Sequence, residues 1–254
     1  MKNLCSCLLV LLNCFASSLA LVSCNDDTGI NASEDQSAVT AQPEASSTIA
    51  HRLAGEMPAN SDNSYDVAGK VHNELFYSYY DSSSLPTTLT AIRDRVNLFA
   101  NANSGFIECK GSFYHGVQLS KVQSILSNPG SCINDVLTST GMSILGKVSL
   151  STFTTGILSL TAKTEEYKEI YDSICNYEAA VLADPLLTAK DKKVILITTS
   201  IARHSIYCAK KKPKKNTDPD WTIFIGNIMA GTYGGDNDVA DAIETALVTG
   251  IAQN

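Results

Sequence analysis

The stretch Asp66-Val-Ala-Gly69-Lys-Val-His72-Asn73-Glu74 puts two carboxylates, an imidazole, an amide and a glycine within nine residues. An imidazole and a carboxylate that converge can do acid–base work, provided both reach the same proton. On a helix advancing about 100° per residue, Asp66, Gly69, Asn73, Phe76 and Tyr80 share one face and His72 borders it. Glu74 points the other way, with Val67 and Val71, so His72 and Glu74 do not form a catalytic pair. The spacing instead nominates Asp66, His72 and Asn73 as a shallow ligand or partner site. A plainer reading is that Gly69 admits a neighbouring helix while His72 and Asn73 bond locally. The dyad His72-x-Glu74 also occurs in zinc deaminases, but their Pro-Cys-x-x-Cys partner is missing here.

Other motifs are weaker. Gly141-Met-Ser-Ile-Leu-Gly146-Lys147-Val148 approaches the phosphate-cradling G-x-x-x-x-G-K-[ST] loop, yet Val148 replaces the hydroxyl that would hold Mg²⁺. It reads better as a glycine-punctuated helix junction. Gly234-Gly235-Asp236-Asn237-Asp238 with Asp241 offers clustered oxygens but lacks the calcium-loop frame, and helix capping explains these acids more simply. Lys210-Lys-Lys-Pro213-Lys-Lys215 is a basic cluster that suits a solvated helix end. Gly226-x-x-x-Ala230 fits a tight helix–helix seam. His115 and His204 stand alone. No G-x-S-x-G or H-E-x-x-H run occurs, so we expect no catalytic residues, no metal and no cofactor, and an enzyme of unknown reaction near Asp66, His72 and Asn73 is the alternative.

Helical periodicity dominates the sequence from residue 65 onward. Expected helices run from Tyr65 to Tyr80, from Pro86 at a first helical position through Phe99, from Val117 to Leu126, and over Ile133 to Leu137. Further helices are expected over Glu165 to Leu182, from a Thr188/Asp191 cap to Lys211, and from an Asp220 cap through Trp221 to Ala230, broken by Gly231 to Gly235. The last starts at Asp236 or Asp238 and carries Val239, Ile243, Leu247 and Ile251. Ser149 to Leu160 is Thr-rich and β-branched and fits strand or helix. No alternating series recurs, so the fold class expected is all-α, a compact bundle of about seven or eight helices. Within it, Cys109, Cys132, Cys175 and Cys208 are candidates for disulfides. Cys175 and Cys208 would meet if their helices pack antiparallel, and the alternative is four small buried hydrophobes.

The N-terminal residues differ. Lys2 precedes the apolar run Leu4–Val22 of 19 residues, followed by Leu21-Val22-Ser23-Cys24. This box resembles the signal of bacterial lipoproteins: aliphatic, tolerant, small, then Cys. The resemblance implies cleavage between Ser23 and Cys24, a diacylglycerol thioether on the Cys24 thiol and acylation of the new amine with palmitate-type chains. Several chains together make a lasting anchor where one holds weakly. Cys5, Cys7 and Cys14 lack the box and would leave with the signal. Without cleavage the same run is close to the roughly 20 residues that span a bilayer. Asn25-Asp26-Asp27 resembles the acidic export signal of Bacteroidetes surface lipoproteins. The Asp66–Glu74 run is similar to the opening helix of uncharacterised members of that group and implies no activity.

Residues 25–64 carry Ser, Ala, Asp, Asn, Gln, Glu and Thr without apolar periodicity, as expected of a flexible tether reaching roughly 35 Å. The expected organisation is a signal peptide over 1–23, a lipidated cysteine and linker over 24–64, and a helical domain over 65–254. Of 254 residues, 44% are hydrophobic and 18% charged, a globular composition, and the formal net charge is −7. That acidity disfavours nucleic acid. The expected product is an envelope lipoprotein at the outer membrane. Its partners are the membrane, through Cys24, and an unknown protein or surface polymer.

Overall fold

The ends of the helices are set by side chains that accept orphaned backbone amides. The computed structural model describes residues 58–211 and 222–253. The described residues form ten helices and no strand: α1 (Val67–Tyr80), α2 (Leu89–Ala102), α3 (Ser104–Cys109), α4 (Leu119–Ser127), α5 (Cys132–Ser139), α6 (Ile144–Thr161), α7 (Tyr167–Ala183), α8 (Ala189–Lys211), α9 (Thr222–Gly235) and α10 (Val239–Ala252). The all-α expectation holds, with more helices than expected. Thr88 caps α2 by accepting from Ala91 N, so Pro86 lies outside that helix. Asn103 caps the short α3, which has too few residues to show a period. Asp238 caps α10.

Thr188 and Asp191 form a reciprocal cap at α8. Thr188 Oγ1 accepts from Asp191 N at 3.1 Å, and the Asp191 carboxylate accepts from Thr188 N at 3.0 Å. The same carboxylate accepts from Ser143 N and Ser143 Oγ, both at 2.8 Å, and Ser143 is the cap of α6. One buried carboxylate therefore fixes the starts of two helices.

Two findings concern helix interiors. The Thr-rich stretch, open between strand and helix from its sequence, is helical: Leu150, Phe153 and Ile157 pack into an apolar cluster, and its hydroxyls find acceptors on the preceding turn. Thr152, Thr154 and Thr155 donate to the carbonyls of Val148, Leu150 and Ser151 at 2.8–3.0 Å. Gly231 to Gly235 continues α9 instead of breaking it, because a Cβ on Gly234 would collide with the backbone of Asp241 and Ala242 in α10. Glycine here permits the close α9–α10 crossing, the most extensive helix pair of the fold.

α8 partitions the interior. Val194, Ile195, Leu196, Ala202 and Ile206 pack with α5, α6, α7 and α9. Ile197 and Ile201 pack with α1, α2, α4 and α10. Each fully buried Leu or Ile contributes roughly 1.5–3 kcal/mol, so these two apolar clusters supply most of the drive to fold. No helix of the described residues is long and apolar enough to cross a membrane. Residues 58–64, expected as the end of the tether, are packed on the bundle, with Pro58 and Asn63 buried. The lipobox, Ser23, Cys24, the tether to residue 57, Lys212 to Lys215 and the Asp220 cap lie outside the described residues.

Candidate functional site

The polar residues nominated in the first helical stretch meet α8 at its centre. Gly69 sets the crossing: a Cβ there would overlap the carbonyl of Ser200 and the ring of His204. Gly69 N donates to Ser200 Oγ at 2.9 Å, and Ser200 Oγ donates to Asp66 O at 3.0 Å. At this contact the side chains of Asp66, Arg203, His204 and Glu178 form a polar chain. Arg203 Nη2 lies 2.7 Å from Asp66 Oδ1 and 3.2 Å from Glu178 Oε1, and His204 Nε2 lies 3.3 Å from Asp66 Oδ1. Arg203 and Glu178 are both fully buried. Glu178 also accepts from Asn60 Nδ2 at 2.6 Å, Asn63 Nδ2 at 2.7 Å and Thr199 Oγ1 at 2.7 Å. Arg203 Nη1 donates to the Pro58 carbonyl.

These contacts explain the ionisation states. Burial pushes the Asp66 carboxyl up, but the bond from His204 and the Arg203 guanidinium outweigh it and hold the group below the usual range. Burial works against the Arg203 cation, and Glu178 and Asp66 reverse that and raise its pKa.

Asn73 and His72 extend the network. Asn73 Nδ2 donates to the His204 carbonyl at 2.9 Å, and Asn73 Oδ1 lies 3.3 Å from His72 Nδ1. An amide oxygen only accepts, so Nδ1 carries the imidazole proton. His72 Nε2 is buried without a partner and is directed at Asn227, whose Oδ1 is likewise unmatched. Turning the Asn227 amide by 180° matches both: Nδ2 donates to His72 Nε2, and Oδ1 accepts from Ser205 Oγ, now 3.1 Å from the amide. Burial lowers the His72 pKa to about 4, with the His204 charge adding to the effect, so the ring is neutral.

Asp66, His72 and Asn73 are therefore brought together, but around α8 and not around a cavity. His72 is 3% exposed and Asn73 8%. Of the plainer sequence reading, the glycine contact describes the geometry, whereas the bonding is local only between His72 and Asn73: Asn73 also reaches the His204 carbonyl on α8. Glu74 is exposed and holds Asn103, apart from His72. The sequence reading missed Arg203 and Glu178, the centre of the network. A signal existed: both are charged residues on the apolar stripes of their helices, Glu178 among Ile174 and Val181 and Arg203 close to Ile206.

The remaining motifs resolve into structure. Gly141 N donates to Asp236 at 3.0 Å and Ser143 N to Asp191, so side-chain carboxylates occupy the amides that a phosphate loop would offer. Asp241 accepts from His115 N at 3.1 Å and Gly116 N at 2.8 Å, and Asp238 from Gly111 N at 3.0 Å, tying the loop before α4 to α10. No cluster able to hold a metal occurs among the described residues. Gly226 lies against Gln253, consistent with a tight α9–α10 seam.

Cys109, Cys132, Cys175 and Cys208 carry free thiols. Although α7 and α8 pack together, Cys208 faces α1, with its sulfur 3.0 Å from Tyr77 Oη, and Cys175 sits beside Tyr171 on α7. The two sulfurs point to different neighbours, so the expected meeting does not occur. Burial raises the pKa of Cys109, to about 11, and those of Cys132 and Cys175. Cys132 and Cys208 are buried, and Cys109 and Cys175 are half-buried.

Apolar surface lies elsewhere. At the start of α6, Ile144 is 82% exposed, Leu145 53% and Val148 59%, on one side of the helix. Val148 also lines a shallow groove of about 280 Å³ between α5 and α6, with Leu137, Thr138, Lys147 and Ser151. No family model, no curated protein and no solved structure matches the chain.

Proposed function

We propose that the chain is a lipid-anchored envelope lipoprotein whose helical domain is a binding module, with the α5–α6 face as its contact surface. The anchor reading rests on Leu21-Val22-Ser23-Cys24, and the outer-membrane location on the resemblance of Asn25-Asp26-Asp27 to an export signal. The binding reading rests mainly on one observation: Ile144, Leu145 and Val148 are exposed together beside a groove, while the polar cluster is consumed inside the bundle. Grouped exposed aliphatics mark contact sites, and an aliphatic face with one lysine suits a protein better than a polar polymer. Catalysis by Asp66, His72 and Asn73 is the weaker reading, because Asp66 and Asn73 are bonded to α8, and His72 is buried against Asn73 of its own helix.

Two experiments test this. Mass spectrometry of the mature protein should show a diacylglyceryl mass on Cys24; a free thiol there refutes the anchor. A photo-crosslinking side chain at position 148 should give a discrete adduct in intact cells, and one at exposed Glu166 should not. Equal labelling at both positions refutes the α5–α6 contact surface.

A further inference from the structure

The chain enters the bundle through residues 58–66, and this segment makes contacts unlike those of any helix. Pro58 O accepts from Arg203, and Ala59 O accepts from Tyr171 Oη at 2.8 Å. Asn60 and Asn63 donate to the two oxygens of Glu178 at 2.6 and 2.7 Å, and Asn63 also donates to Leu196 O at 2.9 Å. Asp66 closes the series on Arg203 and His204. Among residues 58–66 only Pro58 and Asn63 are buried, and Tyr65 is half-buried against both apolar clusters, so two apolar side chains are covered. Apart from Pro58 and Tyr65 the segment is held by polar bonds, most of them to one buried ion pair, where the helices around it are held chiefly by apolar packing.

We propose that residues 58–66 form a polar latch that opens as a unit before the helical bundle does, uncovering the Arg203–Glu178 pair. Two facts of physical chemistry carry this. Burying the pair is costly, and the strap makes it tolerable by supplying the missing hydrogen-bond partners. When the strap leaves, water takes those places and rehydrates both charges, so opening exchanges polar bonds for polar bonds. The apolar surface exposed is that of Pro58 and the covered half of Tyr65, less than any of the long helices would expose, and segments of that kind open at a fraction of the global unfolding free energy. α1 stays in place, because Val71, Leu75 and Tyr79 remain buried in the second apolar cluster. Any molecule that engages the residues N-terminal of Pro58 acts on this latch before it acts on a helix. The proposal does not depend on the lipid anchor.

Native-state hydrogen exchange on the full chain tests the latch. The amides of Asn63, Tyr65 and Asp66, bonded within the strap, should exchange together, slower than an unstructured peptide and much faster than α10. Glu178→Gln weakens the closed state against both the open-latch and the unfolded states, so it should speed the three by about 10- to 100-fold and α10 by the same factor, whereas Val136→Ala, buried in α5 away from the strap, should speed α10 and leave the three unchanged. Tyr171→Phe and Asn60→Ala, at the edge of the strap, should speed the same three amides by a smaller factor and serve if Glu178→Gln fails to fold. Exchange at the unstructured rate, or only in step with α10, overturns the proposal. So does an acceleration of the strap by Val136→Ala equal to that of α10.

Discussion

His72 should make the protein sensitive to mild acid. The ring is buried at the α1–α8 crossing, faces His204 from α8 and the neutral amides of Asn73 and Asn227, and has no carboxylate partner. Burial lowers its pKa from 6.5 to about 4. The folded state therefore binds fewer protons than the unfolded state between those values. Stability is complete above about pH 6.5, falls as the pH drops towards 4, and levels off below that as far as this group is concerned. The interval covers two and a half pH units at about 1.4 kcal/mol each, so the loss approaches about 3 kcal/mol by pH 4. Asp66 acts in a different window: its depressed pKa gives stability that is lost only below about 3.8. Asp241 and Glu244, raised chiefly by burial, oppose the His72 effect and are common to wild type and variant. Urea unfolding of the wild type and His72→Gln at steps from pH 7 to 4.5 isolates the group. The wild type should lose about 2–3 kcal/mol more than the variant over that range. Parallel curves would refute the reasoning, as would a His72 ring resonance titrating at 6.5 or above in the folded protein.

Other predictions concern the same crossing and the caps. Gly69→Ala should lower stability by about 1–3 kcal/mol, because its Cβ overlaps the Ser200 carbonyl and two helices must separate; a thermal melt within 1 °C of the wild type contradicts the contact. Arg203→Leu should cost about 3–5 kcal/mol by stranding Glu178, while Arg203→Leu with Glu178→Leu should cost less than the single change; additive losses in urea unfolding would argue against a coupled pair. Asp191→Ala removes the acceptor of both the α6 and α8 starts and should cost about 2 kcal/mol, twice a typical cap. A loss equal to that of Thr88→Ala at the α2 cap would show that only one helix depends on it.

The helices were legible because their apolar stripes are long and their caps are Thr, Ser and Asp at the right offsets. Thr188 and Asp238 cap as their sequence context indicates. α3 escaped notice because six residues carry less than two turns of period. The threonines of α6 obscured a helix because β-branching and side-chain bonding to the preceding turn have opposite consequences, and only the packed partner decides between them. Gly231 to Gly235 signalled a break because glycine is a poor helix former in isolation, yet the close approach of α10 demands it. Around Gly69 the sequence located the right residues and the right contact. It could not supply Arg203 and Glu178, which lie more than 100 positions away and meet Asp66 only when α1, α7 and α8 are assembled.

The same assembly changes what the net charge means. Glu178, Asp191, Asp238, Asp241 and Glu244 are buried, and Arg203 is the single buried arginine or lysine among the described residues. Five interior carboxylates against one guanidinium account for four of the seven formal negative charges. These acids clasp backbone amides of distant segments: Asp191 at Ser143, Asp238 at Gly111, Asp241 at His115 and Gly116. The exterior is accordingly closer to neutral than the composition suggests, and a nearly neutral exterior repels neither another protein nor a second copy of this one. An apolar face such as Ile144, Leu145 and Val148 then becomes the strongest feature a partner meets. Raising the salt concentration should leave binding through that face unchanged, because screening acts only on charge. A steep fall in cross-linking at position 148 between 0.05 and 0.5 M salt would move the contact surface to a charged region instead.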